Sequence, residues 1–226
     1  MQLTLPESFL LLAQHPSRSR LYIEWAFLRH GLIGSLLLEL SLEEGLEIRD
    51  GLLLPGSRKS HKDEISEEIL EMIKSTAKPR KLKHWLTKLA MKARRYKWIL
   101  FSRLEKKRLI RIVHRKFLGL IPYRLTSLTG RRQRMDLIRE LKLALYKKEE
   151  LNDRTMMLLG LVHACHLHKA FTDDRKERKK LKADLKKFME NNPVTDAVGK
   201  TIKEVQAAVL VSIMAATTVT TTTSSH

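Results

Sequence analysis

Cysteine is almost missing from this chain. Cys165 is the only one in 226 residues, so no internal disulfide can form, and the composition suits a reducing compartment. Long apolar runs are missing as well. The longest, Gly31–Leu38 and Ala207–Ala216, fall well short of the roughly 20 residues that span a bilayer, so any membrane contact is expected to be peripheral. The opening Met-Gln-Leu-Thr-Leu-Pro-Glu has no basic n-region and no small-residue cleavage site, and it does not read as a secretory signal. The signatures of catalysis are absent too: no Gly-rich phosphate loop, no G-x-S-x-G elbow, no H-E-x-x-H pair. Paired acids such as Glu43-Glu44, Glu67-Glu68 and Asp173-Asp174 read as solvated surface. The expectation is a protein that is not an enzyme and needs no cofactor.

Acids are scarce in one particular place. Residues 78–148 hold 24 Lys and Arg against Glu105, Asp136 and Glu140, a net of +21, whereas the rest of the chain nets −2. The formal charge of +19 is therefore one concentrated field on a near-neutral body. Solubility needs far less. Such a field draws polyanions: phospholipid headgroups, nucleic acid or an acidic protein.

Apolar periodicity fills most of the chain and predicts a mainly α, single globular domain (residues 1–216) around a central buried helix, with one or two projecting β-hairpins. Pro6 suits the first turn of an opening helix. The stretch about Trp25–Leu42 is apolar nearly all round over Gly31–Leu40 and reads as the central helix; Gly31 and Gly34 within it imply close-packed neighbours. Asp50-Gly51 marks a hairpin over Leu46–Leu54. The loop Pro55–Lys62 follows, and Asp63 caps a helix to about Ser75. Helices are then expected over Lys81–Lys92 and 94–107, the latter with Trp98, Ile99, Phe101 and Leu104 inside. Two short strands follow, Leu109–Val113 and Lys116–Ile121. Arg131–Lys148 is expected as a helix with Met135, Ile138, Leu141, Leu143 and Leu145 inward. Asn152 or Asp153 caps another to about Ala170. Asp173–Met189 forms a charged helix. Asn192-Pro193 starts the last one, which ends near Ala216, and the Thr-rich 217–226 reads as a disordered tail.

Three stretches in order resemble the Golgi phosphoprotein family: Leu3-Thr-Leu-Pro-Glu-Ser-Phe-Leu-Leu-Leu-Ala13, Gly31-Leu-Ile-Gly-Ser-Leu-Leu-Leu-Glu-Leu40, and Asn152-Asp-Arg-Thr with Leu161-Val-His-Ala164. A final helix with Ala207-Ala208-Val209 also fits, and the pattern is closer to the family's bacterial members. The resemblance implies binding of anionic phospholipid, of the phosphatidylinositol 4-phosphate type in eukaryotic members. It also implies a role as adaptor for cytosolic tails of membrane enzymes and self-association through the 109–121 hairpin. The implied location is peripheral on the cytosolic membrane face, at the Golgi if the source is eukaryotic or the inner membrane if bacterial. For the headgroup it implies Trp25, Arg29 (one turn before Ile33, where the family has an arginine) and Arg154.

Residue chemistry adds two further groups. Arg94, Arg95, Lys97, Arg115, Lys116 and Arg124 are expected on a membrane-facing basic surface, each contributing about 1 kcal/mol beside an anionic bilayer. Leu118, Leu120 and Ile121 would insert at the hairpin tip, two buried aliphatic chains adding about 3–6 kcal/mol; the alternative is that this strand packs on the body or on another subunit. Acids from Asp63–Glu71 and Asp173–Glu177 are expected on the opposite side. His163, Cys165, His166 and His168 do not converge on one face of a helix, so no metal is expected. The competing reading is a winged helix-turn-helix over 81–121 that binds nucleic acid. Its recognition helix would have to spend Trp98, Phe101 and Leu104 on the core, and it carries few base-reading side chains, so nucleic acid is the less favoured partner. A basic surface gripping an acidic protein is a third reading.

Overall fold

Thr4 and Glu7 start the chain's first helix, α1 (Leu5–Ala13), with a reciprocal cap: the Thr4 hydroxyl accepts from the Glu7 N–H at 3.4 Å and Glu7 Oε2 accepts from the Thr4 N–H at 2.9 Å. The structure is a computed structural model; it describes residues 3–58, 63–118, 120–147, 151–191 and 197–222. The elements after α1 are α2 (Trp25–Leu42), the hairpin β1 (Leu46–Arg49) and β2 (Leu52–Pro55), α3 (Glu64–Lys74), a short β3 (Arg80–Lys81), α4 (Leu82–Ala90) and α5 (Ala93–Lys106). A second hairpin follows, β4 (Ile110–Phe117) and β5 (Ile121–Leu128), then α6 (Arg131–Lys147), α7 (Asp153–Ala164), a 3-10 turn at Leu167–Ala170, α8 (Arg175–Asn191) and α9 (Ala197–Thr222). The architecture is mainly α, as the periodicity predicts.

The central helix is α2, buried almost continuously from Leu28 to Leu40. It packs against α1, α4, α5, α7 and α9. Its glycines explain how so many neighbours fit. A Cβ on Gly31 would stand 2.5 Å from Cys165 Sγ and 2.5 Å from the Phe9 ring; one on Gly34 would stand 2.9 Å from Val209. The close packing inferred from their cost in helix propensity is present. Asp50 and Gly51 both take positive φ, 52° and 73°, as a two-residue type I′ turn requires, and β3 extends the β1–β2 hairpin to three antiparallel strands.

Four sequence expectations need correction. The second hairpin turns beyond Phe117, not at His114-Arg115: β4 and β5 pair from Ile110↔Leu128 out to Phe117↔Ile121. Its outer half projects beyond the body, where no buried face enforces alternation, so polar His114 and Arg115 sit comfortably mid-strand. The helix begun by Asn152 stops at Ala164, because His166 takes a left-handed conformation (φ 53°) before the 3-10 turn. Met135 lies outside, 56% exposed, while Ile138, Leu141 and Leu145 face the core. The last helix runs on to Thr222, through residues read as disordered tail; its expected start at Asn192-Pro193 lies outside the described residues, as do 223–226. Among the described residues, no helix is long and apolar enough to cross a membrane.

Candidate anion-binding site

Helix α5 places its basic residues on two faces, and the two have different fates. Lys92, Arg95 and Arg103 turn toward α3. Lys92 Nζ reaches Glu68 at 2.8 Å, Arg95 pairs with Glu68 and lies 4.0 Å from Glu64, and Arg103 pairs with Asp63. These charges are spent inside the protein. Arg95 is therefore not part of a free basic surface, and the acids of α3 sit beside the basic helix rather than opposite it.

Arg94 and Lys97 turn the other way, toward the start of α2 and the base of the second hairpin. Lys97 Nζ lies 5.3 Å from the centre of the Trp25 ring and 4.6 Å from that of Trp98. The Arg124 guanidinium, carried by β5, lies over Trp98 at 4.5 Å. Two indoles thus hold two cations in fixed positions. Burial lowers the Lys97 pKa, and the neighbouring charges of Arg94 and Arg124 lower it further. No carboxylate among the described residues ion-pairs with Arg94, Lys97 or Arg124. Their mutual repulsion is relieved by an arriving anion, and a guanidinium beside an ammonium suits a phosphate group.

The sequence-named headgroup residues divide. Trp25, 37% exposed at the first position of α2, belongs to this cluster. Arg29 lies one turn further along α2, half-buried, with its Nε buried and without a hydrogen-bond partner. Arg154 is elsewhere. It donates to Glu39 Oε1 at 2.9 Å, to Glu39 Oε2 at 3.1 Å and to the Leu3 carbonyl at 3.1 Å. Glu39 follows Trp25 by 14 residues on the same helix, about 21 Å at 1.5 Å per residue. The same Glu39 Oε2 accepts from the Leu5 N–H at 2.6 Å, so Arg154 is a structural cation that secures α1 to α2. It borders a cavity of about 550 Å³ with Lys107, but Lys107 is also spent, on the buried Glu7 at 2.6 Å. Among the described residues lining it, that cavity has no free cation to offer a phosphate.

Trp98 and Arg124 complete the cluster in ways the sequence did not signal. Trp98 falls in the apolar stripe of α5 and reads as core, yet it is only half-buried and carries two cations. Arg124 reads as a flank of the hairpin tip; the true register pairs it with His114 and puts it back over α5.

The hairpin tip is bare. Leu118 is 81% exposed and Leu120 84%, with Phe117 and Ile121 also exposed; Arg115 and Lys116, on the outer part of β4, are exposed beside them. The tip does not pack on the body of its own chain.

The histidine segment is packed rather than convergent. Burial pushes the Cys165 thiol up and lowers His163; it also lowers His168, whose pKa is brought down to about 4 with the help of His166, Lys182, Arg178 and Lys169. His166 lies against Phe27, ring centres 5.3 Å apart. Among the described residues no three His, Cys, Asp or Glu side chains form a group able to hold a metal ion.

A family model described as Golgi phosphoprotein 3 (GPP34) matches residues 5–205 of the chain. No curated protein matches it.

Proposed function

The chain belongs to the Golgi phosphoprotein 3 (GPP34) family, and from that premise we propose that it is a peripheral membrane-binding protein, without catalytic activity, that holds a phosphorylated lipid headgroup at the Trp25–Lys97–Trp98–Arg124 cluster. Arg94 adds charge at the rim and Arg29 one turn below. The headgroup class that suits a family of this kind is phosphatidylinositol 4-phosphate. The observation that carries the reading is the set of three cations, Arg94, Lys97 and Arg124, without carboxylate partners among the described residues, two of them held on indole rings at the foot of a bare apolar hairpin.

The two features act together on a membrane. Leu118, Leu120 and Ile121 enter the headgroup boundary, while Arg115 and Lys116 stay among the phosphates. Burying two aliphatic chains contributes about 3–6 kcal/mol, and each cation near the surface about 1 kcal/mol. The hairpin provides general anchoring and the cluster provides choice of headgroup. The same tip is available for self-association off the membrane. An adaptor role toward cytosolic tails of membrane enzymes, on the Golgi or bacterial inner membrane, goes with this reading through the family.

Nucleic-acid binding fares worse. Its recognition helix would be α5, where Tyr96, Leu100, Phe101 and Leu104 are buried and Lys92, Arg95 and Arg103 are paired. Arg94, Lys97 and Lys106 remain on it, too few for a groove-reading helix.

Vesicle flotation tests the proposal. Wild type is expected to float with anionic vesicles, more strongly with phosphatidylinositol 4-phosphate, and to release as salt is raised. Lys97→Ala with Arg124→Ala should remove the phosphoinositide preference, and Arg95→Ala should retain it. Equal preference in wild type and the Lys97/Arg124 variant would overturn the assignment of the cluster.

A further inference from the structure

A second concentration of positive charge lies outside the basic segment, where the sequence as a whole is slightly acidic. The loop between α1 and α2 and the segment before α8 come together across roughly 150 residues of sequence and enclose a cavity of about 390 Å³. Arg18 and Arg20 come from the loop, Lys169 from the 3-10 turn and Arg178 from the first turn of α8; Asp173 is the one acid on the wall. The lining is mostly polar, and no side-chain carboxylate among the described residues ion-pairs with Arg18, Arg20, Lys169 or Arg178.

The cavity is built, not incidental. Gln14 is fully buried, and its side-chain nitrogen lies 3.3–3.4 Å from the carbonyls of His15, Arg18 and Arg20 and 3.1 Å from that of Thr126 on β5. The loop's carbonyls are thereby drawn inward, away from the cavity. His15 Nδ1 accepts from the N–H groups of Ser17 and Arg18, both at 3.1 Å, which fixes its Nε2 as the protonated nitrogen of the neutral ring. The His15 ring stacks on Tyr22 at 4.8 Å. Under Tyr22 lies Arg134, 4% exposed and 5.6 Å from the ring centre. Arg134 donates to the carbonyls of Leu12 and Ala170, and its Nε is buried without a partner. A fifth cation therefore sits beneath the floor, shielded from water, and no carboxylate among the described residues ion-pairs with it. Arg178 is braced by donating to the Asp173 carbonyl at 2.8 Å, and its Nε too is buried without a partner. Preformed cations around a polar recess lower the ordering cost of binding a small polyanion.

We propose that this cavity is a second oxyanion site, separate from the Trp25–Lys97–Arg124 cluster, that takes a phosphate group. Arg18, Arg20 and Arg178 supply directed guanidinium donors, Lys169 adds charge, and His15 Nε2 offers a further donor. The near absence of apolar lining favours the phosphate itself over any hydrocarbon attached to it. Two sources share this chemistry: a phosphorylated lipid headgroup, or a soluble phosphate compound.

Inorganic pyrophosphate in calorimetry and vesicles containing phosphatidic acid in flotation distinguish them, using the full chain with Lys97→Ala and Arg124→Ala to silence the first site. Pyrophosphate is expected to bind this background and to lose at least tenfold in affinity when Arg18→Gln and Arg20→Gln are added. The urea midpoint should not move, since Gln14 holds the loop backbone. Vesicle binding that depends on Arg18 and Arg20 and is displaced by pyrophosphate assigns the site to a headgroup; pyrophosphate binding without vesicle dependence assigns it to a soluble phosphate. A magnetic-resonance titration of His15 supplies a local readout. Its pKa is lowered by burial and then by Arg18 and Arg20, with Arg134 lowering and Asp173 raising it; bound pyrophosphate should move it upward in the background chain and not in the Arg18/Arg20 variant. If neither pyrophosphate nor vesicles respond to the Arg18/Arg20 substitutions, the proposal fails, whatever becomes of the first site.

Discussion

Replacing Arg154 by Met removes a charge while keeping most of the side chain's length. In the structure this leaves Glu39, with its side chain 9% exposed, without its cation. Three hydrogen bonds disappear: two to the carboxylate and one to the Leu3 carbonyl. Breaking a buried ion pair by removing one partner costs about 3–5 kcal/mol. Arg154 is 30% exposed, so water reaches one end of the pair, and the loss should fall near about 2–3 kcal/mol, or roughly 5–10 °C in melting temperature for a chain of this size. Urea unfolding followed by circular dichroism would show a lower midpoint with an unchanged slope. Adding Glu39→Gln should restore part of the loss, because Gln keeps an acceptor for the Leu5 N–H without an orphaned charge. Vesicle binding of the folded variant should be unchanged. An unmoved urea midpoint, or weaker binding to phosphoinositide vesicles by protein shown to be folded, would refute the placement of Arg154 as a structural cation.

Leu118→Asp with Leu120→Asp should abolish vesicle binding, more than a hundredfold for about 3–6 kcal/mol of lost burial. Both side chains are exposed, so the unfolding free energy from urea titration should shift by less than about 0.5 kcal/mol; a large drop would mean that the tip packs on something. Stability should decline as pH falls. His168 has its folded pKa lowered to about 4 from an ordinary 6.5, so the unfolded chain takes up the proton first, and stability present above pH 6.5 is lost progressively down to about pH 4. His168→Gln should flatten part of that slope in urea titrations at fixed pH, leaving the share of His15, His30, His163 and His166, which burial lowers in the same direction. Glu68→Gln should free Lys92 and Arg95, strengthen flotation on anionic vesicles several-fold and lower the urea midpoint; unchanged flotation would mean that those cations face away from the membrane.

The apolar pattern made most of the fold legible. The bounds of α2, the Asp63 and Asn152 caps and the Asp50-Gly51 turn follow from local rules, because burial on α2 and positive φ at the turn each leave one solution. The second hairpin was legible as a hairpin but not in register, since half of it projects past any core. The proposed site was legible in composition more than in geometry. Trp25 and Lys97 could be named, but their meeting needs α2 and α5 to cross at those residues. Arg154 shows the opposite failure. A cation at a helix start looks like an anion site, and only the fold reveals that Glu39 has already taken it. The Arg18–Arg178 cavity had no local signal at all, because its two halves are far apart in sequence and neither is unusually basic beside the 78–148 segment.

Counting charges therefore misstates where an anion will bind. Lys92, Arg95 and Arg103 fall on one face of α5 by helical spacing, and α3 meets that face with Asp63, Glu64 and Glu68. Arg94 and Lys97, three residues apart, share the other face. Had α3 been neutral, every cation of α5 would raise the potential at Lys97, whose pKa is already lowered by burial, Arg94 and Arg124. Pairing one face with acids cancels the more distant repulsion and leaves the near cations fixed against Trp25 and Trp98. Under the proposed function, the acidic turn of α3 thus acts on headgroup binding without touching the headgroup: it concentrates a diffuse net charge into a few directed, unspent donors.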